Sequence, residues 1–154
     1  MTATAPHPAW APSKSRLLVT LYAGLLLTVA AGVAPLIDIA TADSLFDHVR
    51  QAYPDWPADT VRQDRDAIAI YLAAVGALGL LCWLGAIWAV AAERRWARGT
   101  VTALFALGTL LALTSMTLGG EQYDTIVPPI YGALGLLPCL AGLAAVVLVW
   151  RRAR

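Results

Sequence analysis

The sequence predicts an all-α membrane protein, a four-transmembrane-helix bundle with a short amphipathic helix on its outer side. Three observations predict it. The 154 residues are 59% hydrophobic and only 14% charged, with mean hydropathy +0.66, which is too apolar for an ordinary soluble domain of this length. The apolar residues gather into four runs, each long enough for the roughly 20 residues that cross about 30 Å of hydrocarbon. The charged residues lie between the runs, and the four apolar cores contain no Asp, Glu, Lys, Arg or His.

Residues 1–13, MTATAPHPAWAPS, are rich in Pro and Ala without a periodic apolar face, so a disordered cytoplasmic tail is expected. Residues 14–154 form one membrane domain with spans at about 17–37, 67–92, 99–118 and 126–150 and an outer loop at 38–66. In lipid every backbone polar group must be paired within its own segment, so each span must be a helix. Short connections predict antiparallel packing of sequence neighbours. Lys14 and Arg16 ahead of the first run, with small residues near its end, also fit a signal peptide, but the run is long for one and an uncleaved helix is expected.

Within the outer loop, Asp43 is a good N-cap residue, and Leu45, Phe46, Val49, Ala52 and Tyr53 follow helical spacing up to Pro54. This predicts an amphipathic helix lying on the outer membrane surface. Tyr53, Pro54, Trp56 and Pro57 predict a turn. Asp59 or Thr60 is then expected to cap a helix that runs straight into the second span, with Asp59–Arg62 and Arg62–Asp66 spaced for ion pairs.

Orientation follows from Lys and Arg, which resist translocation beside a span. Lys14, Arg16, Arg94, Arg95, Arg98, Arg151, Arg152 and Arg154 share one side with a single acid, Glu93. The other side holds Arg50, Arg62 and Arg65 against the remaining nine of the ten acids. Both termini are expected in the cytoplasm of a plasma-membrane protein. The net charge of +1 points to no nucleic-acid partner.

GALGLL occurs at 76–81 and again at 132–137, each time followed by a Cys, an apolar stretch and an Arg pair. VTLYAG (19–24) and VTALFALG (101–108) match more weakly. The pattern suggests two parallel helix-pair repeats related by an axis along the membrane normal, although apolar segments draw on a small alphabet. Gly24, Thr28 and Gly32 recur every fourth residue and line a face with little bulk, suited to close helix contact or to a homodimer. Trp96 and Trp150, beside arginines, fit interfacial anchors.

Membrane cores without ionisable groups weigh against proton relays, ion-coupled transport and voltage sensing. Haem is disfavoured, since His7 and His48 lie outside the spans and Met116 has no evident partner ligand. The hydroxyls of the third span, including Thr109, Thr114 and Ser115, are expected to bond back to the preceding turn. Cys82 follows Asp66 by 16 residues and Cys139 follows Asp124 by 15, so both thiols are expected at similar depth. Without a Cys-x-x-Cys motif, two inert buried thiols are preferred to a redox pair.

Six of the ten acids fall in 43–66. A divalent-cation site can be imagined from Asp43, Asp47 and His48, with Glu121 or Asp124 from the second outer loop, because hard cations want several oxygens. The spacing matches no dedicated metal loop, and a solvated acidic face is the preferred reading. No resident cofactor is expected.

The segments AYPDW, YLAAVGALGLLCWLGAIWAV with RRWAR, and LGLLPCLAGLAAVVLVWRR together resemble small four-helix integral membrane proteins of high-GC actinobacteria. The resemblance implies a fold and a membrane location but no activity, so no functional residue is carried over. The expected function is that of a structural or accessory envelope component, non-enzymatic, touching lipid and other membrane proteins. The alternatives are an outward-facing sensor or metal-binding module using the acidic loop, and a thiol-based redox protein.

Overall fold

The computed structural model describes residues 14–120 and 123–152. The expected tail, Glu121 and Arg154 lie outside the described residues. The described residues form five helices: α1 (Lys14–Thr41), α2 (Ser44–Ala52), α3 (Ala58–Ala91), α4 (Ala97–Thr117) and α5 (Pro129–Arg151). All but α2 are long and apolar enough to cross a membrane. The all-α four-span architecture and the short helix between the first two spans are as the sequence predicts.

α3 has 34 residues, about 51 Å at 1.5 Å per residue, well beyond the hydrocarbon thickness. Its first turns, with Asp59, Arg62, Asp64, Arg65 and Asp66, therefore project past the apolar core. Pro35 in α1 and Pro138 in α5 sit inside their helices. Neighbouring helices re-satisfy such interruptions in a membrane bundle.

Contacts fix which ends lie together. Lys14 Nζ donates to Ala91 O and to Glu93 Oε1, both at 2.9 Å, and Arg152 approaches Glu93 at 3.7 Å. The start of α1, the α3–α4 junction and the end of α5 thus meet at one basic end. Sequence-adjacent spans are antiparallel. Leu17, Leu21, Ala89, Val90, Ala97, Val101, Ala145 and Val149 form a core at this end.

Packing depends on missing side chains. A Cβ on Gly76 would stand 3.0 Å from the Gly32 Cα, so α1 and α3 cross backbone against backbone. The Trp83 ring lies over Gly24, with its Nε1 donating to Thr28 Oγ1 at 2.8 Å. α4 and α5 repeat the device in other residues, with Met116 seated on Gly132 and Phe105 on Gly142. Gly76 and Gly132 occupy matching places in the two GALGLL segments, and each faces the partner helix of its own pair. Symmetry stops there: α1 packs closely on α5, whereas α3 and α4 touch much less.

Candidate functional site

Two regions can carry function, a folded cap at the α2 end and a cavity between the spans. In the cap, Leu45 and Val49 stand one turn apart on α2 and are fully buried. They join Val61, Ile68, Val127 and Tyr131 in a second core. Beside water, burial of each such side chain contributes about 1.5–3 kcal/mol. α2 is therefore a packed element of the bundle, where the sequence predicted a helix lying on the membrane surface.

The caps differ from expectation. Asp43 takes a left-handed backbone conformation, φ 50°, and its side chain makes no capping bond. Only Ala42 and Asp43 separate α1 from α2, and Asp tolerates the left-handed turn that this reversal needs. Asp38, at the end of α1, accepts from Leu45 N at 3.1 Å in its place. Asp59 and Thr60 do not cap α3 either. That helix begins after Pro57, whose carbonyl accepts from Val61 N at 3.1 Å.

Asp43 is held by Arg65 at 2.8 Å, and Arg65 also grips Asp66 through Nε at 2.9 Å and Nη2 at 2.8 Å. The Arg65 side chain is only 14% exposed, so this is a shielded network rather than a loose surface pair. Arg62, expected to pair with Asp59 and Asp66, has no ion pair among the described residues; Arg65 takes that role. The second Asp43 oxygen is buried without a hydrogen-bond partner among the described residues.

His48 Nε2 meets Thr125 O at 3.0 Å, and its ring stacks on Tyr123 at 5.4 Å, tying α2 to the loop before α5. Tyr123 donates to Asp64 Oδ2 at 2.6 Å and meets Tyr53 edge-on at 5.2 Å, while Tyr53 stacks on Trp56 at 3.8 Å. Burial first, and then the Asp64 carboxylate, push the Tyr123 phenol well above its ordinary value of 10.0. Arg50 Nη1 donates to Trp56 O at 2.6 Å and closes the Tyr53–Pro57 turn. At the other end, the hydrogen bond and charge of Lys14, with Arg152, lower the Glu93 carboxyl.

Of the residues singled out as metal ligands, Asp43 is engaged by Arg65, His48 spans the two loops, and Asp47 and Asp124 are exposed. Glu121 lies outside the described residues. No three His, Cys, Asp or Glu side chains gather as a ligand set among the described residues. Sequence reasoning missed Asp38 as a cap, Arg65 as the centre of the network, and the Tyr123–Asp64 bond. The one available signal for the last was an aromatic residue isolated in the otherwise polar segment 121–125.

The second region is a cavity of about 180 Å³ walled by α1, α3, α4, α5 and Val127. It exists because α3 and α4 stand apart. Its wall is apolar apart from a few groups, among them Thr28, Thr109 and Ser115, and includes both cysteines, Cys82 and Cys139. The thiols are free, and both line this cavity. Thr100, Thr102, Thr114, Ser115 and Thr117 bond back to the preceding turn, as expected for α4. Thr109 does not: its hydroxyl oxygen is buried without a partner among the described residues.

Four apolar spanning helices define a multi-pass membrane protein. No protein-family model, curated protein or solved structure matches the chain, so its function has to be argued from the cap and the cavity.

Proposed function

We propose that the protein is a structural or accessory component of the cell envelope, with both ends cytoplasmic, that works through protein contacts made by its outward-facing cap. The observation that carries this reading is the cap itself. Buried Leu45, Val49 and Val61, the Arg65 network and the His48–Tyr123 stack hold a fixed surface on which Asp47, Asp55, Asp59, Asp66 and Asp124 are exposed. An acidic, pre-organised surface suits a basic partner segment, because complementary charge steers encounter and little ordering remains at binding. The uneven distribution of Lys and Arg supports the cytoplasmic placing of the basic end.

A photo-crosslinking residue at exposed Gln51 or Gln63, compared with lipid-facing Leu26, tests this in native membranes. The reading expects a discrete protein adduct from the cap positions that is lost on Asp47→Asn with Asp55→Asn and Asp59→Asn. Lipid adducts alone, or an adduct indifferent to those charges, would refute it.

A further inference from the structure

We propose that a recess at the basic end binds the headgroup phosphate of an anionic phospholipid that carries no amine, of the phosphatidylglycerol class. The recess has a volume of about 240 Å³ and opens where the start of α1, the α3–α4 junction and the end of α5 meet. Its floor is apolar, made by the buried side chains of Leu17, Val90, Ala97 and Val149. Around that floor stand three guanidiniums, Arg94, Arg98 and Arg152, and a single carboxylate, Glu93. Arginines beside a span ordinarily serve its orientation and need no common target. These three come from the α3–α4 junction, the first turn of α4 and the end of α5, and they converge on one recess.

Charge and depth then select the occupant. Glu93 is already engaged, by Lys14 at 2.9 Å and by Arg152 at 3.7 Å. Arg94 and Arg98 form no ion pair among the described residues. Each lies instead over an indole, Arg94 over Trp88 at 5.2 Å and Arg98 over Trp150 at 5.9 Å, and both rings are exposed on the outside of the bundle. With Trp96, 5.8 Å from Trp88, these rings mark the headgroup level, the depth of the lipid phosphates. A phosphate diester suits two free guanidiniums, which bind its oxygens through charge-assisted, often bidentate hydrogen bonds. A basic pocket between spans is a recurrent seat for anionic headgroups. An ammonium carried on the same headgroup would meet an excess of cations and find the one carboxylate taken, which selects against phosphatidylcholine and phosphatidylethanolamine. Free phosphate offers the same oxygens but no acyl chains to lie against the exposed indoles.

The test titrates the full chain, in micelles of the neutral detergent dodecyl maltoside at about 0.15 M salt, where exposed charges are screened beyond about 8 Å. The probes are dioleoylphosphatidylglycerol, dioleoylphosphatidylcholine and inorganic phosphate, read by native mass spectrometry for bound lipid and by melting temperature. Phosphatidylglycerol should bind about tenfold more tightly than phosphatidylcholine, and millimolar phosphate should neither stabilise the protein nor displace the lipid. Arg94→Gln and Arg98→Gln should each weaken phosphatidylglycerol binding about fivefold, and the two together about thirtyfold, the worth of one and of two arginines at an anionic headgroup. Arg95→Gln with Arg151→Gln removes the same charge from exposed positions at the same end but outside the recess, and should change binding by less than about twofold. Equal binding of the two lipids, equal losses from the two arginine pairs, displacement of the lipid by phosphate, or no binding at all would overturn the proposal. The single variants carry the decision even if Arg94→Gln with Arg98→Gln fails to fold.

Discussion

Replacing Gly76 isolates what holds the spans together. Inside lipid there is no hydrophobic gain on joining two apolar helices, so association rests on close packing. A Cβ at Gly76 would be 3.0 Å from the Cα of Gly32, about half an ångström inside the closest comfortable carbon contact of roughly 3.5 Å. The obstacle is backbone and cannot rotate away, so α1 must back off. Overpacking of this kind costs about 1–3 kcal/mol, against a gain near 0.8–1 kcal/mol from replacing Gly by Ala in a helix. Gly76→Ala should therefore be neutral to about 2 kcal/mol less stable, and Gly76→Leu worse. Gly85 is the internal control, on the same helix with no atom within 4 Å of a Cβ; Gly85→Ala takes the helix gain without the overpacking and should be about 0.8–1 kcal/mol more stable. The assay is denaturant-induced unfolding in mixed micelles. Leu favours membrane insertion, so a weak Gly76→Leu protein would not reflect failed insertion. Equal stabilities for the Gly76 and Gly85 variants would refute the backbone crossing.

Three further outcomes are expected. Arg65→Gln leaves Asp43 half-buried without its cation and should cost about 2 kcal/mol, between the values for exposed and buried pairs, and lower the melting temperature by several degrees; an unchanged melt would show the network to be decorative. Tyr123→Phe loses a hydrogen bond to a charged acceptor and should cost about 1–2 kcal/mol at pH 7. Because the folded phenol has the higher pKa, its contribution is complete below pH 10.0 and is lost as the pH rises through the folded value. The gap between wild type and Tyr123→Phe should therefore narrow as the pH rises above about 10, and a gap that stays constant on strong alkalinisation would contradict the assignment. Leu45→Ala opens a cavity under α2 and should cost about 2–5 kcal/mol, read by melting, with hydrogen exchange rising in residues 44–52; a surface-lying α2 would lose almost nothing.

The spans were legible because the membrane demands long unbroken apolar runs, a signal that survives any tertiary detail. α2 was legible as well, since Leu45 and Val49 repeat at helical spacing and Pro54 stops the pattern. Its capping was not. The local rule put a hydrogen bond on Asp43, but Arg65, 22 residues away, claims that carboxylate, while the tight reversal from α1 demands a left-handed residue at the same position. Propensity carries no knowledge of a distant guanidinium. Asp59 and Thr60 failed for a simpler reason, because Pro57 starts α3 earlier than the polar residues suggest.

The GALGLL repeat anticipated the matching roles of Gly76 and Gly132, each against the partner helix of its own pair. The unequal packing of α1 on α5 and of α3 on α4 could not be read from it, since two nearly identical segments give no cue to which cross-pair closes. That inequality produces the cavity, so the cavity was hidden too. The hydroxyls of α4 were expected to bond back as a set. Only the packed helices single out Thr109, by leaving its oxygen buried without a partner among the described residues.

The most direct test of the account is the sidedness of the two ends. In a background with Cys82 and Cys139 replaced by Ala, single Asp47→Cys and Arg95→Cys proteins are treated in intact cells with a membrane-impermeant maleimide. The account predicts labelling of the Asp47→Cys protein from outside and of the Arg95→Cys protein only after permeabilisation. Labelling of both in intact cells would contradict the four-span arrangement, and labelling of Arg95→Cys alone would turn the cap inward and remove the outward surface on which the proposed function rests.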